Sequence, residues 1–446
     1  MPADHGDLPA YGMPVRSLAG GDVDSDGYLR ENPAEPAWNL LRVTGPLDAA
    51  RLAAAVERVT LATDVLHLRL RATDRGPRLV RQEPAPLTLE TLDAESPVVD
   101  GRLAKDVAAT LGPLLFDKAD LRREPAGRVC LVRGGAGEEQ LLALTFDHSV
   151  IDGWALGLLT RAVAASYGSG AYVPRGRSFA DFVRALPDDE ERELSLSAWR
   201  GLLDGYPVPG PPLRLPGGRL KWPEPFRING YFDRSLPSEL AADLTAAAAR
   251  SGSTRAQVLS AATALAAEMW SEGPQAVVSL RHGHARPEDI LVVGPLVEPY
   301  VMLPPSPEPS SVGDWLIAHS MVNDSPPPTY GRSIRDVAPL APRYVALNII
   351  PPARPLAFGP ETRATSASRD FLAPLWAGER PVVPSTAAMW INYYMDQPGS
   401  VEVSLTYDTD VLPEPQRLMD TVMAVVAAGA HEPELDVRSL RSRVCG

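Results

Sequence analysis

The clearest hydrophobic pattern in the chain is a change of period near residue 147. Residues 140–146, Gln-Leu-Leu-Ala-Leu-Thr-Phe, form an apolar run of strand length. Residues 154–167 repeat their apolar side chains at helical spacing. The pattern therefore predicts a strand, a short loop and a helix. Loops held between rigid elements are common places for chemistry, because they aim side chains.

The rest of the chain alternates strand and helix patterns, which predicts an α/β fold in two halves. Further strands are expected at 226–234, 277–281, 292–302, 344–350, 388–394 and 401–407. Helices are expected around Phe182 and Trp199, and at 237–250, 254–270 and 414–428, with Gly252 and Gly429 as stops and Ser253 as a cap. Residues 304–311 and 351–365 are rich in Pro and Ser and are expected to be loops.

A stretch rich in proline and glycine divides the chain near its middle, at 205–212 and 215–218. The length of 446 residues exceeds one ordinary domain. We therefore expect an N-terminal unit at 1–204, a connector at 205–225 and a C-terminal unit at 226–446.

Composition narrows the class of protein. A net charge of −13 disfavours nonspecific nucleic-acid binding, which depends on clustered cations. The sequence contains no run of eighteen apolar residues, so no membrane helix is predicted. The first residues do not resemble a signal peptide. Two cysteines do not make a disulfide framework. The simplest expectation is a cytoplasmic protein that binds neither membrane nor nucleic acid.

The predicted loop contains His-x-x-x-Asp-Gly, from His148 through Asp152 to Gly153. A neutral imidazole can take a proton from an amine or hydroxyl as it attacks a carbonyl. The Asp152 carboxylate is placed to cap the following helix. Gly153 lets backbone or substrate approach closely. The helix start favours negative charge on a nearby carbonyl oxygen.

The same residues also have a structural interpretation. A single histidine near a strand end is usually structural, and three fixed residues recur by chance in chains of this length. For Asp152, a role as helix cap or buried ion-pair partner is sufficient to explain the residue even in an active enzyme. From the motif alone, catalysis and structure therefore both stay open.

Taken with other segments, the chain resembles the condensation domains of nonribosomal peptide synthetases and the wider chloramphenicol-acetyltransferase-like superfamily. Residues 39–48 and 52–59 are similar to the family's first strand and helix, and Asp64–Arg69 is similar to its "R-H-E-x-L-R" strand. Further similar segments are Phe179–Val183, Trp199–Leu203, Gly283–Gly294 and Val401–Asp410. Ordered matches over most of the chain are more specific than one short motif.

The chain departs from the family pattern within the motif and at its N-terminus. The family has two histidines, His-His-x-x-x-Asp-Gly; Asp147 stands at the first position and His148 keeps the second, the catalytic one. Asp147 is therefore a candidate for orienting His148 or raising its basicity, or a merely tolerated change. The family's N-terminal "S-x-x-Q" motif is not recognisable in residues 1–36.

Two further departures lie in the second half. The family's arginine that pairs with the motif aspartate falls at His284, which would make that ion pair depend on pH. Arg281 and Arg286 are possible substitutes for it. The family's asparagine after the conserved glycine is replaced by Glu298. These changes indicate a divergent member, with altered substrate handling or lost activity.

The resemblance implies two pseudo-related α/β sandwich subdomains in a V, with His148 in a tunnel between them. It implies a free-standing condensation enzyme in natural-product biosynthesis, with Asp147, Asp152 and Gly153 beside the catalytic histidine. The acyl donor would be a thioester on the phosphopantetheine of a carrier protein, or on coenzyme A, and the acceptor an amine or alcohol. No bound cofactor is expected. Candidate lining residues are Trp154, His284, Glu298, Asn348, Trp390 and Asn392.

Other functions remain as alternatives. The chain is either a catalyst of this kind, a non-catalytic docking module that kept the fold, or an enzyme that uses the tunnel for another reaction such as cyclisation. Asp147 and His284 favour the docking module. No phosphate-binding P-loop and no serine-hydrolase elbow occurs in the sequence. His282 and His284 lack a third ligand at zinc-site spacing, so no metal is predicted.

Overall fold

The computed structural model describes most of the chain. The residues described are 7–11, 22–32, 35–74, 76–121, 124–135, 139–204, 213–218, 226–271, 273–275, 277–282, 287–306, 308–330, 343–350, 354–376, 382–385, 387–395 and 399–445. Two six-stranded sheets with helices packed against them make up its two halves. The α/β class expected from the sequence is confirmed.

Up to residue 204 the chain forms strands and helices in alternation. The strands are β1 Leu8–Pro9, β2 Asp22–Val23, β3 Leu29–Glu31, β4 Ala37–Thr44, β5 Leu68–Arg71, β6 Arg78–Arg81, β7 Leu89–Asp93, β8 Val98–Val99, β9 Arg102–Leu103, β10 Gly127–Arg133 and β11 Gln140–Phe146. The helices are α1 Ala49–Ala62, α2 Lys105–Phe116, α3 Gly153–Ser169, α4 Phe179–Arg184 and α5 Asp189–Leu203.

The second half repeats this alternation. Its strands are β12 Phe226–Ile228, β13 Gly230–Ser235, β14 Val277–His282, β15 Val297–Met302, β16 Arg343–Ile350, β17 Leu356–Ala357, β18 Arg363–Ser366, β19 Val383–Ser385, β20 Ala387–Tyr394 and β21 Glu402–Tyr407. Its helices are α6 Ser238–Ser251, α7 Arg255–Met269, α8 Val312–Asn323, α9 Arg369–Leu372, α10 Pro415–His431 and α11 Val437–Cys445.

The first sheet has the strand order β17-β18-β4-β11-β10-β7 and is buried on both faces. On one face, Leu142 and Leu144 pack with apolar residues of α1 and α3. On the other face, Leu141 and Ala143 pack with residues of α2 and α9. Burial on both faces explains why residues 140–146 read as a continuous apolar run.

The second sheet has the order β13-β21-β20-β16-β14-β15 and is covered differently on its two faces. Helices α6, α7, α8 and α10 pack against one face, where Leu347, Ile391 and Leu405 are buried. The opposite face carries the half-buried side chains of Trp390 and Asn392, so β20 alternates between buried and partly exposed residues from Met389 onward. This is the period-2 pattern of a strand with one covered face.

A segment of the second half completes the first sheet. Strand β18 pairs with β4, with Ala364 opposite Val43, and β17 pairs with β18 at the edge. Phe371, in α9 just after β18, is 1% exposed and lies in the core on the α2 face of the first sheet. The two halves are therefore joined by strand pairing as well as by the chain.

Three of the strands predicted from the sequence are partly wrong. Asp64–His67 is a 3₁₀ helix and the strand begins at Leu68. The Asp64 carboxylate accepts hydrogen bonds from the N–H groups of Phe179 and Ala180 at the start of α4. Residues 292–296 are also outside a strand. A 3₁₀ helix at Pro287–Leu291 leads into a turn there, and β15 begins at Val297.

The expected loop at 351–365 is also wrong in part, because β17 and β18 lie within 351–366. Pro and Ser predict a loop from local sequence alone. In the structure β18 is stabilised by pairing with β4, and β17 by pairing with β18. The strand expected at 226–234 is interrupted at Asn229, between β12 and β13.

Two predicted helix boundaries differ in the structure. Gly429 does not end the last long helix, which continues to His431; a Cβ at Gly429 would lie 2.5 Å from Leu316 Cδ1, so this glycine permits close helix packing. The cap of α7 is Thr254 rather than Ser253, and Thr254 forms a capping box with Gln257. Gly252 ends α6 in the left-handed conformation, as predicted.

Candidate active site

The predicted loop joins β11 to α3. Strand β11 ends at Phe146, and the carbonyl of Asp147 accepts hydrogen bonds from the N–H groups of Val150 and Ile151 at 3.1 and 3.2 Å. The Asp147 N–H donates to the carbonyl of Ala126 at 2.8 Å, which ties the start of the turn to the residue just before β10. The strand, turn and helix predicted from the sequence are confirmed.

His148 lies on this turn and is half-buried. Its Nδ1 atom is shielded from solvent. The residue as a whole is only partly enclosed by protein.

Asp147 is 8% exposed, and its carboxylate holds the turn in place. Oδ1 accepts from Asn32 Nδ2 at 3.0 Å and from the Ser149 N–H at 2.8 Å. Burial lowers the pKa of the nearby Arg69 guanidinium, and the Asp147 charge opposes that change. The structure thus supplies two residues at the motif, Asn32 and Arg69, that sequence reasoning did not identify as site residues.

Asp152 is 1% exposed and connects the two halves. Oδ1 caps α3 by accepting from the Ala155 N–H at 2.7 Å, as predicted. Oδ2 accepts from the Val297 N–H, also at 2.7 Å, at the start of β15. Burial raises the pKa of Asp152 from 3.8 to about 6, although hydrogen bonds from backbone N–H groups oppose that rise.

Three cations were predicted as partners of Asp152: His284 and, as substitutes for it, Arg281 and Arg286. His284 and Arg286 both lie outside the described residues. Arg281 is described, and its guanidinium lies over the ring of Tyr300, 5.6 Å from the centroid. The Asp152 carboxylate accepts hydrogen bonds from the backbone N–H groups of Ala155 and Val297, and such bonds also satisfy a buried carboxylate.

Gly153 and Trp154 begin α3. Gly153 is exposed, and a Cβ built on it would have no heavy atom within 4 Å. The space beside Gly153 is therefore open to an approaching group. The Trp154 indole N–H donates to the carbonyl of Ile290 at 2.8 Å, so this predicted lining residue also fastens α3 to the second half.

Glu298 follows Val297 and is 2% exposed. The Tyr11 hydroxyl donates to Glu298 Oε1 at 2.5 Å, and the Thr329 hydroxyl donates to Oε2. Burial, followed by the Glu298 charge, raises the pKa of Tyr11 well above its usual value. Glu298 was predicted as a lining residue; its two hydroxyl partners were not predicted.

Asn348, Asn392 and Trp390 form a separate group on the open face of the second sheet. Asn348 on β16 is the register partner of Asn392 on β20, and Asn392 is in turn opposite Ser404 on β21. Trp390, two residues before Asn392, packs partly against Ala346. All three predicted lining residues are half-buried on one face.

An aromatic cluster lies where α9 meets the first sheet. The rings of Trp38, Phe116 and Trp376 have centroids 5.3–5.7 Å apart. The Arg369 guanidinium lies over the rings of Trp376 and Tyr394, at 5.7 and 4.0 Å. The cluster joins residues from both halves, and no local pattern in the sequence indicated it.

A cavity of about 560 Å³ adjoins the Asp147 end of the turn. Its lining includes Tyr28, Arg69, Glu124, Ala126 and Gly127. Gly127 is opposite Phe146 in the β10–β11 pair, and the Ala126 carbonyl holds the Asp147 N–H. The cavity was not predicted from the sequence.

Within the described residues, no three His, Cys, Asp or Glu side chains are grouped so as to hold a metal ion. In the same part of the chain, no helix has the length and apolar character needed to span a bilayer.

Among known proteins, this chain is similar to a peptide synthetase. Phosphinothricin tripeptide synthetase PhsC of Streptomyces viridochromogenes is 31% identical over 275 residues, which is 57% of this chain and 24% of that protein. This chain thus spans about a quarter of the length of that relative.

Solved structures share the fold. The first condensation domain of the calcium-dependent antibiotic synthetase, in complex with a substrate analogue, is similar with a TM-score of 0.74, 18% identity and 97% coverage of both chains. The X-domain in its complex with OxyB from teicoplanin biosynthesis is similar with a TM-score of 0.70 and 17% identity, over 99% of this chain and 96% of that one.

The roles of the site residues named from the sequence stay predictions. The fold that carries these residues is shared with the two solved structures. The two halves form the pseudo-dimer of condensation domains. The profile named "Condensation domain" matches residues 33–301. Since that match covers more than half of the chain, the protein belongs to the condensation domain family.

Proposed function

We propose that this protein is an acyltransferase that joins a thioester-bound acyl group to an amine or alcohol, with His148 as general base. One observation carries the proposal. His148 lies on a turn that is held at one end by Asp147 and at the other by Asp152, where Asp152 also contacts the second half. A catalytic base needs this kind of fixed position.

The reaction follows from the groups on the turn. Because Nδ1 is shielded, Nε2 of His148 is assigned to take the proton as the amine or hydroxyl attacks the thioester carbonyl. The new C–N or C–O bond forms, the C–S bond breaks, and the proton passes from His148 to the departing thiolate. The open space beside Gly153, at the positive end of α3, accommodates the negative carbonyl oxygen.

The acyl donor in this proposal is a carrier-protein phosphopantetheine thioester or an acyl-coenzyme A. Both present the same thioester, so the chemistry at His148 is shared. The family and the PhsC relative favour the carrier protein. The free-standing arrangement, the acceptor and the cytoplasmic location stay predictions.

A non-catalytic docking module is the second candidate, and two observations favour it. Asp147 replaces the first motif histidine, and its carboxylate is bonded to Asn32 and Ser149. The teicoplanin X-domain has the same fold and is found in a complex with OxyB. In this alternative the turn is a structural feature and the protein binds a partner without turnover.

Incubation of the purified protein with acyl-loaded carriers or acyl-coenzyme A, and with a panel of amines and alcohols, separates the two candidates. We expect product from wild type and a loss of about 100-fold or more in His148→Ala, since general base catalysis contributes on that order. His431→Ala, which removes an exposed histidine of the second half, is the matched control and should retain activity. Equal product from wild type and His148→Ala, or carrier binding with no product, would overturn the proposal.

A further inference from the structure

Glu298 occupies a fully formed hydrogen-bonding site between the two halves. Both carboxylate oxygens accept from hydroxyl groups, one from Tyr11 and one from Thr329. Because the raised pKa keeps the Tyr11 phenol protonated, Tyr11 is the donor. A buried carboxylate is stable only when its oxygens are satisfied, so Glu298 depends on both hydroxyl groups.

The backbone beside Glu298 holds the motif. Val297, the preceding residue, donates its N–H to Asp152 Oδ2, and the other oxygen of Asp152 caps α3. Asp152 ends the turn that begins with Asp147 and includes His148. A continuous set of contacts thus runs from Tyr11 through Glu298 and Asp152 to the histidine turn.

Tyr11 itself is fixed within the first half. It is 2% exposed, and its ring packs edge-on against Phe182 of α4 with centroids 5.2 Å apart. The segment before it, β1, pairs with β6. On the other side, Glu298 is opposite Arg281 in the β14–β15 pair. Glu298 is therefore fixed to a strand in one half and to a rigid phenol in the other.

We infer that Glu298 is a positioning residue for His148, held by Tyr11 and Thr329 and acting through the contact between Val297 and Asp152. The inference rests on the proposed function, because it gives Glu298 a part in the work of His148. It also explains why an acid at this position is compatible with a buried site, since two hydroxyl donors are supplied to it.

The test uses Tyr11→Phe, which keeps the ring and its packing and removes one donor to Glu298. Tyr393→Phe is the matched control, since Tyr393 is also fully buried and its hydroxyl bonds to Thr263 at 2.9 Å in the helix-covered core of the second half. Both variants lose one buried hydrogen bond. Only Tyr11→Phe should disturb the histidine turn.

The direct readout is the NMR signal of the His148 ring in protein whose seven histidines are isotope-labelled. The His148 signal is the one that is missing from the spectrum of His148→Ala. We expect the chemical shift and titration midpoint of His148 to change in Tyr11→Phe and to stay at wild-type values in Tyr393→Phe. The acyl-transfer kcat should fall roughly fivefold to tenfold in Tyr11→Phe, the range that one buried hydrogen bond represents, with less change in KM.

Glu298→Gln and Glu298→Leu complete the series. Glutamine keeps an acceptor oxygen for one hydroxyl, so we expect partial rescue relative to leucine in both the His148 signal and kcat. An unchanged His148 signal in Tyr11→Phe and Glu298→Leu would overturn the inference, as would equal changes in Tyr393→Phe. If wild type shows no acyl transfer, the proposed function fails, whereas the His148 signal still decides whether Glu298 positions the ring.

Discussion

The two sheets have equal numbers of strands in the described residues but differ in what covers them. The first sheet is enclosed by apolar residues on both faces, and the histidine turn extends from the end of its strand β11. The second sheet is covered by helices on one face. Its other face has Asn348, Trp390 and Asn392 partly exposed beside a small buried cluster that includes Val278 and Ala346.

Under the proposed function, this difference suits separate tasks for the two halves. A strand packed on both faces has little freedom, so it is a rigid base for a side chain that must be placed accurately. A face with amide side chains offers donors and acceptors for a polar ligand group. In the proposed enzyme, the first half supplies the base and the second half supplies contacts to the substrate.

The enclosure of the first sheet depends on a segment of the second half, and Phe371→Ala tests that dependence with the largest expected effect. Phe371 is buried in the first half's core although it follows β18. We expect a loss of about 3–5 kcal/mol in the free energy of unfolding, with faster hydrogen exchange in β4. Chemical denaturation and exchange mass spectrometry measure the two effects.

Phe226→Ala is the control for that prediction, because Phe226 is 5% exposed in the core of the second half. It should reduce stability while the increase in exchange falls on the second sheet. An equal increase of exchange in β4 for both variants would show that the enclosure of the first sheet does not depend on this segment.

The contact between the halves at Asp152 gives a prediction of intermediate size. The folded-state pKa of about 6 is above the ordinary 3.8, so the folded protein binds the proton more tightly than the unfolded chain. The stability contributed by this proton is present below pH 4 and is lost as the pH rises through 6. Since one pKa unit corresponds to about 1.4 kcal/mol, the loss is on the order of 3 kcal/mol.

Asp152→Asn removes this titration and keeps an oxygen that can cap α3. We therefore expect the free energy of unfolding of wild type, measured relative to Asp152→Asn, to fall between pH 4 and pH 6 and to level off above pH 6. Urea denaturation across that range is the measurement. If the difference in unfolding free energy between wild type and Asp152→Asn stays flat or rises with pH, burial is not the main influence on the pKa of Asp152.

The sequence predicted the histidine turn because the information there is local. The change of period at residue 147 and the cap at Asp152 depend on neighbours within a few positions. The Tyr11–Glu298 bond joins residues 287 positions apart, and β18 pairs with a strand more than 300 positions earlier. Such contacts leave no periodic pattern, and so the sequence predicted neither the bond nor the pairing.

The start of α3 gives the smallest expected effect on stability and a sharp test of where the substrate approaches. Gly153→Ala adds a methyl group into open space, so the free energy of unfolding should stay within about 0.5 kcal/mol of wild type. Gly157→Ala, one turn later on the same helix, is the matched control, since its added carbon meets only Arg161 at 3.8 Å. If the acyl carbonyl approaches beside Gly153, kcat/KM falls in Gly153→Ala and is unchanged in Gly157→Ala. Equal turnover by both variants would place the reacting carbonyl away from the helix start, and the second half would then have to supply the groups that stabilise its charge.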